Sequence, residues 1–172
     1  MKRLIGLPIL ALICSCSFKP LTDKFNEVTA PDYVNSSKAE KQQAYLELLN
    51  TNVAPNAQLD VTTLQMMDQT TVNFSTRRTD MGQDAKVNWY SGLFGSMLSR
   101  YKIEYFLNGT GASANDSEVI FGNNEQSFDI QTNVNHESPS TDARVVEKSI
   151  LRNKSKSLFK GMIRIKEKAT KS

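Results

Sequence analysis

Histidine, cysteine and carboxylate side chains do most protein chemistry, and this chain is sparing with the first two. Among its 172 residues are one histidine, His136, and two cysteines, Cys14 and Cys16. An imidazole titrates near neutrality, which makes His136 the first suspect for general acid–base work. It follows Asn135 at the end of an alternating stretch that stops at Pro139, where a hydrogen bond to a neighbouring piece of chain is the expected role. Gln126 and Asp129 lie three residues apart; on a strand they point to opposite faces and form no paired site. Each is expected to satisfy backbone at a corner. The serines lack a second histidine to activate them, and no phosphate loop, dinucleotide fingerprint or zinc spacing occurs. Gly109-Thr110-Gly111 reads as a turn. No catalytic, cofactor-binding or metal-binding residue is therefore assigned.

The elements that position these residues follow from periodicity. Apolar and polar residues alternate through Phe128, Ile130, Thr132 and Val134, then through Val145, Ile150 and Leu158, and last through Met162, Ile163 and Ile165, the period-two signature of half-buried strands. Strands are expected near Leu59, Val72, Val87, Tyr105, Val119, Ile130, Val146 and Ile163, with Asn, Gly and Ser at the corners between. Near-even spacing fits coils that stack on one another, though a β-sandwich would be spaced alike. Trp89 and the aromatics Phe74, Tyr101, Tyr105, Phe121, Phe128 and Phe159 are expected to be core. Upstream, Ser37 and Glu40 form a capping box that predicts a helix to about Asn50, with Tyr45, Leu48 and Leu49 as its apolar stripe.

Residues 1 to 16 have a basic start at Lys2 and Arg3, a short apolar run and a small residue before Cys16, the layout of a secretory signal. The run is too short to span a bilayer. Ile13-Cys14-Ser15-Cys16 also looks like a bacterial lipobox with Cys16 as the lipid-bearing residue. The chain thus divides into a signal-like segment (1–16), a tether and capping helix (17–53) and a core (54–172). The composition, 39% hydrophobic and 23% charged, is that of one ordinary domain. Charge is uneven: from Arg144 onward ten Lys/Arg face two Glu, whereas residues 21–143 hold sixteen Asp/Glu against eight Lys/Arg. Basic residues alternating with apolar ones read as the wet face of a strand, and no aromatic-rich basic patch of the nucleic-acid type appears.

A series of spaced residues resembles the SufB/SufD family, scaffold subunits of the sulfur-mobilisation machinery for iron–sulfur clusters. The matching positions are Gln126, Asp129, His136, Pro139 and Thr141, then Lys148-Ser149-Ile150, Ser157, and Phe159, Gly161 and Ile163; Asp84-Ala85, Trp89, Gly95-Ser96 and Leu107-x-Gly109 extend the likeness upstream. The resemblance implies an all-β fold, a right-handed parallel β-helix. It implies a non-catalytic scaffold, with the missing thiolates leaning towards SufD. No cofactor is expected on this chain alone, because iron–sulfur clusters are held mainly by Cys thiolates and none remains beyond Cys16. The implied partner is a SufB/SufD-type subunit, or a second copy, meeting the coils between Asp129 and Ile165. The family's cluster-assembly residues and the segment that docks the ATPase SufC belong to a C-terminal half that this sequence does not match. The resemblance places the chain in the cytosol; the lipobox-like start places it on the membrane of the cell envelope through Cys16, as a lipoprotein with a solenoid binding domain. A degenerate fragment without activity would reconcile the two.

Overall fold

The computed structural model describes residues 42–172. They form nine strands: β1 (Gln43–Val53), β2 (Gln58–Gln65), β3 (Thr71–Met81), β4 (Lys86–Leu93), β5 (Leu98–Leu107), β6 (Ser113–Gly122), β7 (Ser127–His136), β8 (Asp142–Leu151) and β9 (Lys156–Ile165). Odd strands build one sheet in the order β1-β3-β5-β7-β9, and even strands build the other, β2-β4-β6-β8. Every pairing is parallel. The result is a two-sheet β-solenoid of about four coils. A sandwich of antiparallel sheets is excluded, and all eight strand positions expected from alternation fall within strands.

Alternation dictates what faces inward. In β3 the buried residues are Thr71, Asn73, Ser75, Arg77, Thr79 and Met81, each two positions from the last. Each coil returns to register after 26 to 29 residues, with Val72 beside Leu98 and Ser127 beside Lys156. Like residues therefore stack in rows. Val53, Met81 and Leu107 line one row, and Leu59, Val87 and Ala114 the facing one, so the apolar core concentrates at that side of the lumen.

The corners between odd and even strands repeat. Asn56, Asp84, Gly111 and Ser140 all adopt positive φ. Each of their N–H groups donates to the equivalent corner of the next coil, at Gln83, Thr110, Pro139 and Thr170. Asn, Asp, Ser and Gly tolerate the left-handed region better than other residues, which is why these types mark the corners. Gly109 is needed for a different reason: a Cβ there would lie 2.0 Å from the Gln83 nitrogen on the previous coil.

One expected element is overturned. The segment to Asn50 is the strand β1, not a helix, and no helix occurs among the described residues. Its eleven residues all pair with β3, and the free edge of β3 outweighs a weak helical preference. The supposed stripe is split: Tyr45 and Leu49 face inward with Glu47, while Leu48 points out and is 67% exposed. Among the described residues the first strand of the solenoid starts at Gln43, inside the stretch read as tether and helix. The capping residues Ser37 and Glu40, the signal-like segment and Cys16 lie outside the described residues. Among the described residues no helix is long and apolar enough to cross a membrane.

Candidate functional site

The interior carries a seam of polar groups where a solenoid ordinarily packs aliphatic side chains. At its N-terminal end Arg77 is buried beneath β1 and paired with Glu47 at 3.3 Å. Its guanidinium also donates to the hydroxyls of Thr63 (3.3 Å) and Ser91 (3.2 Å), which reach it from the facing sheet. Its flat face rests 5.3 Å from the Trp89 ring centre and 5.0 Å from that of Tyr101. Ser75 bonds the same Glu47 oxygen. Arg77 is thereby satisfied on all sides, as a buried cation must be.

Moving along the axis, the row that starts with Thr63 and Ser91 continues to Glu118 and Glu147. Asp116 lies two residues before Glu118 and also faces inward. Asp116 and Glu118 are each 1% exposed, and none of their four carboxylate oxygens has a hydrogen-bond partner. The Tyr105 hydroxyl is likewise buried and faces Asp116, close enough to act on its carboxyl though short of good hydrogen-bond geometry. Burial pushes the Asp116 carboxyl up to about 6, opposed first by the Tyr105 hydroxyl and then by the Arg77 charge. Burial, then the nearby Asp116 and Glu147 charges, push Glu118 up to about 8, so at neutral pH it is protonated. Glu147 is raised by burial as well, opposed by a hydrogen bond from Ser157 at 3.2 Å. The seam thus runs from a neutralised cation to a set of carboxyls whose pKa values are all raised, that of Glu118 above neutrality. Such groups can retain water or a proton inside the fold. They do not make a metal centre, for no group of three potential ligands is arranged to hold an ion among the described residues.

The residues singled out by sequence gather in the last two coils rather than at the seam. Gln126 is buried at a corner, where its amide donates to the Ser96 carbonyl (2.8 Å) and accepts from the Asn123 N–H (2.8 Å). Asp129 points outward and meets Arg100 and Lys160 at 3.6 and 3.4 Å. His136 closes β7 with its Nδ1 2.7 Å from the Thr141 hydroxyl, which also donates to the Ser138 carbonyl. Burial lowers the His136 pKa, opposed by Asp142. Pro139 contributes its carbonyl to the corner ladder. Lys148 points outward on β8; Ser149 shares the inward phase with Glu147. On β9, Phe159 and Gly161 hold the inward phase but remain exposed. Arg77, Asp116, Glu118 and Glu147 were not singled out. The available signal was a charge at the inward phase: Asp116 and Glu118 have the parity of Ala114 and Ile120.

Comparison with known proteins matches residues 23–172 to the family described as SUF system FeS cluster assembly, SufBD core domain. Curated relatives are iron–sulfur cluster assembly SufBD family proteins of Staphylococcus haemolyticus (strain JCSC1435) and Staphylococcus aureus (strain USA300), both 29% identical over 141 residues. That alignment covers 82% of this chain and 29% of each relative, so the chain spans less than a third of their length. No solved structure matches it. An all-parallel solenoid, the ordered series of matching residues and a family match over nearly the whole chain agree: the chain belongs to the SufBD core-domain family of the SUF system for iron–sulfur cluster assembly.

Proposed function

We propose that the chain is a non-catalytic scaffold in SUF-type iron–sulfur cluster assembly, SufD-like in character, that works through contact with a SufB/SufD-type subunit or a second copy of itself. The carrying observation is the match of residues 23–172, an all-parallel solenoid where described, to the SufBD core-domain family. On β9 the inward-phase residues Phe159, Ile163 and Ile165 are 42, 69 and 54% exposed, and Leu151 at the end of β8 is 42% exposed. In every earlier coil the same rows are covered by the next strand. A further coil stacked on these strands, whether from following chain or from a partner, would bury those side chains and extend both parallel ladders. The lone imidazole is tied to Thr141, which supports a structural role for it.

Ile163→Pro tests the contact. The N–H groups of Lys156 and Lys166 bond back to the β7 side, and alternation directs that of Ile163 to the open edge. Proline there removes an edge donor without breaking the β7–β9 ladder. In sedimentation velocity at increasing concentration, alone and with a SufB/SufD-type subunit, wild type should associate and a folded Ile163→Pro should not. A wild-type chain that stays monomeric throughout and ignores the subunit would refute the reading.

A further inference from the structure

The outward face of the even sheet matches itself when the column is turned end for end. Its residues form rows across the four strands: Asp60, Asn88, Asn115 and Arg144, then Thr62, Tyr90, Ser117 and Val146, then Leu64, Gly92, Val119 and Lys148. One position further on, Met66 and Phe94 continue the outward phase past β2 and β4, level with the paired Phe121 and Ile150. Met66 and Ile150, at the two ends of this last row, are 71 and 60% exposed, and Leu64, Phe94 and Val119 are exposed between them. A contiguous apolar stripe thus runs the length of the sheet, on a side that further coils would not cover.

Charge differs from one end of this face to the other. Residues 42–70, which build β1 and β2, contain Glu47, Asp60 and Asp68 and no Lys or Arg. On the outward face Asp60 accepts from the amides of Gln58 (3.0 Å) and Asn88 (2.6 Å) and pairs with no cation among the described residues. At the far end of the same row stands Arg144, which pairs with no acid among them, with Lys148 beside it on β8. Between the two run Asn88 and Asn115, joined at 3.0 Å. A row with an acid at one end and a cation at the other is complementary to an antiparallel copy of itself.

We propose that two copies of the chain pack even face to even face about a two-fold axis that runs along the strand direction between β4 and β6. That operation keeps each row in place and reverses the order of the strands, so β2 of one copy lies on β8 of the other and β4 on β6. Asp60 then meets Arg144 of the second copy, and Gln58 meets its Asp142. In the apolar row Met66 lies over Ile150 and Phe94 over Phe121. Val119 comes opposite Gly92, whose missing side chain leaves a notch walled by Leu64 and Phe94. The exposed Tyr90 comes opposite Ser117, where a groove of about 480 Å³ receives its ring. Parallel columns would instead set Arg144 against Lys148 and the apolar stripe against Gln58, Lys86 and Asp142. Four strands spaced about 4.8 Å apart and eight residues long give roughly 500 Å² on each copy, or ~1,000 Å² in all. That is the size of a weak, reversible contact, which comes apart at the dilution where end-on association is followed and does not depend on it.

Cross-linking traps such a contact. The full chain, with Cys14 and Cys16 replaced by Ser, carries Thr62→Cys in one preparation and Val146→Cys in another, and a short bismaleimide joins thiols that meet. The mixture should cross-link at least tenfold faster than either preparation alone. Asp60→Arg in both chains, or Arg144→Asp in both, should remove that excess, and the two reversals together should restore it. Ile163→Pro should leave it unchanged, which separates this contact from the end-on one. Circular dichroism of the β fold is the folding control; a charge variant that fails it is replaced by Asp60→Asn or Arg144→Gln, with the same loss expected. No excess in the mixture, faster joining of Thr62→Cys to itself, an excess that survives both single reversals, no return in the double reversal, or loss in a folded Ile163→Pro would each overturn the proposal.

Discussion

Glu118 occupies an inward position that its neighbours in the same strand give to Ala114 and Ile120, and its carboxyl has no partner. Its pKa is raised from 4.5 to about 8, so between those values the folded state holds a proton that the unfolded state has released. Stability should fall as pH rises through that window and be fullest below it, with Asp116, raised to about 6, titrating as part of the same coupled set. Glu118→Gln removes the titration while keeping the volume. Chemical denaturation should show the variant more stable than wild type at pH 9 by about 1–3 kcal/mol and nearly level with it at pH 5. A wild-type profile that rises between pH 5 and 9 would contradict the assignment. Iron chemistry belongs to this scale too. The chain without its first sixteen residues should take up no iron–sulfur cluster on anaerobic reconstitution with iron and sulfide, since no thiolate remains. Stoichiometric iron and sulfide with a cluster's brown absorption would reveal a ligand set of another kind.

At the level of elements, eight of the nine strands were legible because one solvated face and one enclosed face impose strict alternation. The ninth, β1, was misread: Ala44 to Leu49 suits a helix in isolation, and only the waiting edge of β3 makes it a strand. The polar seam was illegible for a related reason. Alternation shows which residues point inward, but not that Arg77 would find Glu47, Thr63 and Ser91 on three other strands. The motif residues were found because they recur in an ordered series, yet most prove to hold corners and terminal strands together. Corners set the tolerance of the fold. Gly109→Ala would place a methyl group 2.0 Å from the Gln83 nitrogen and 2.2 Å from the Gly82 carbonyl carbon, both backbone atoms that cannot swing aside. The expected cost is about 1–3 kcal/mol. At Gly161 the nearest atom is an edge carbon of Phe159, 3.3 Å away in a ring on an exposed strand, so alanine there should shift stability by no more than about 0.5 kcal/mol. Equal midpoints for the two variants in urea would show that the corners are not tightly packed.

As a whole, the molecule is a column in which each strand touches chiefly the coil before and the coil after, so its cohesion is a sum of neighbour terms. The register of 26 to 29 residues per coil has a mechanical reading. A chain held at Gln43 and Ile165 and drawn apart along the axis bears the load first on a terminal coil, whose backbone bonds then open one after another. Each coil that peels away frees 26 to 29 residues, or roughly 90 Å of extended chain. Optical-tweezer traces should therefore show a short staircase of steps near that length. A single rip of the whole contour would mean that the buried row from Arg77 through Glu118 to Glu147 couples the coils into one unit, a spine in tension rather than a stack of separable rings.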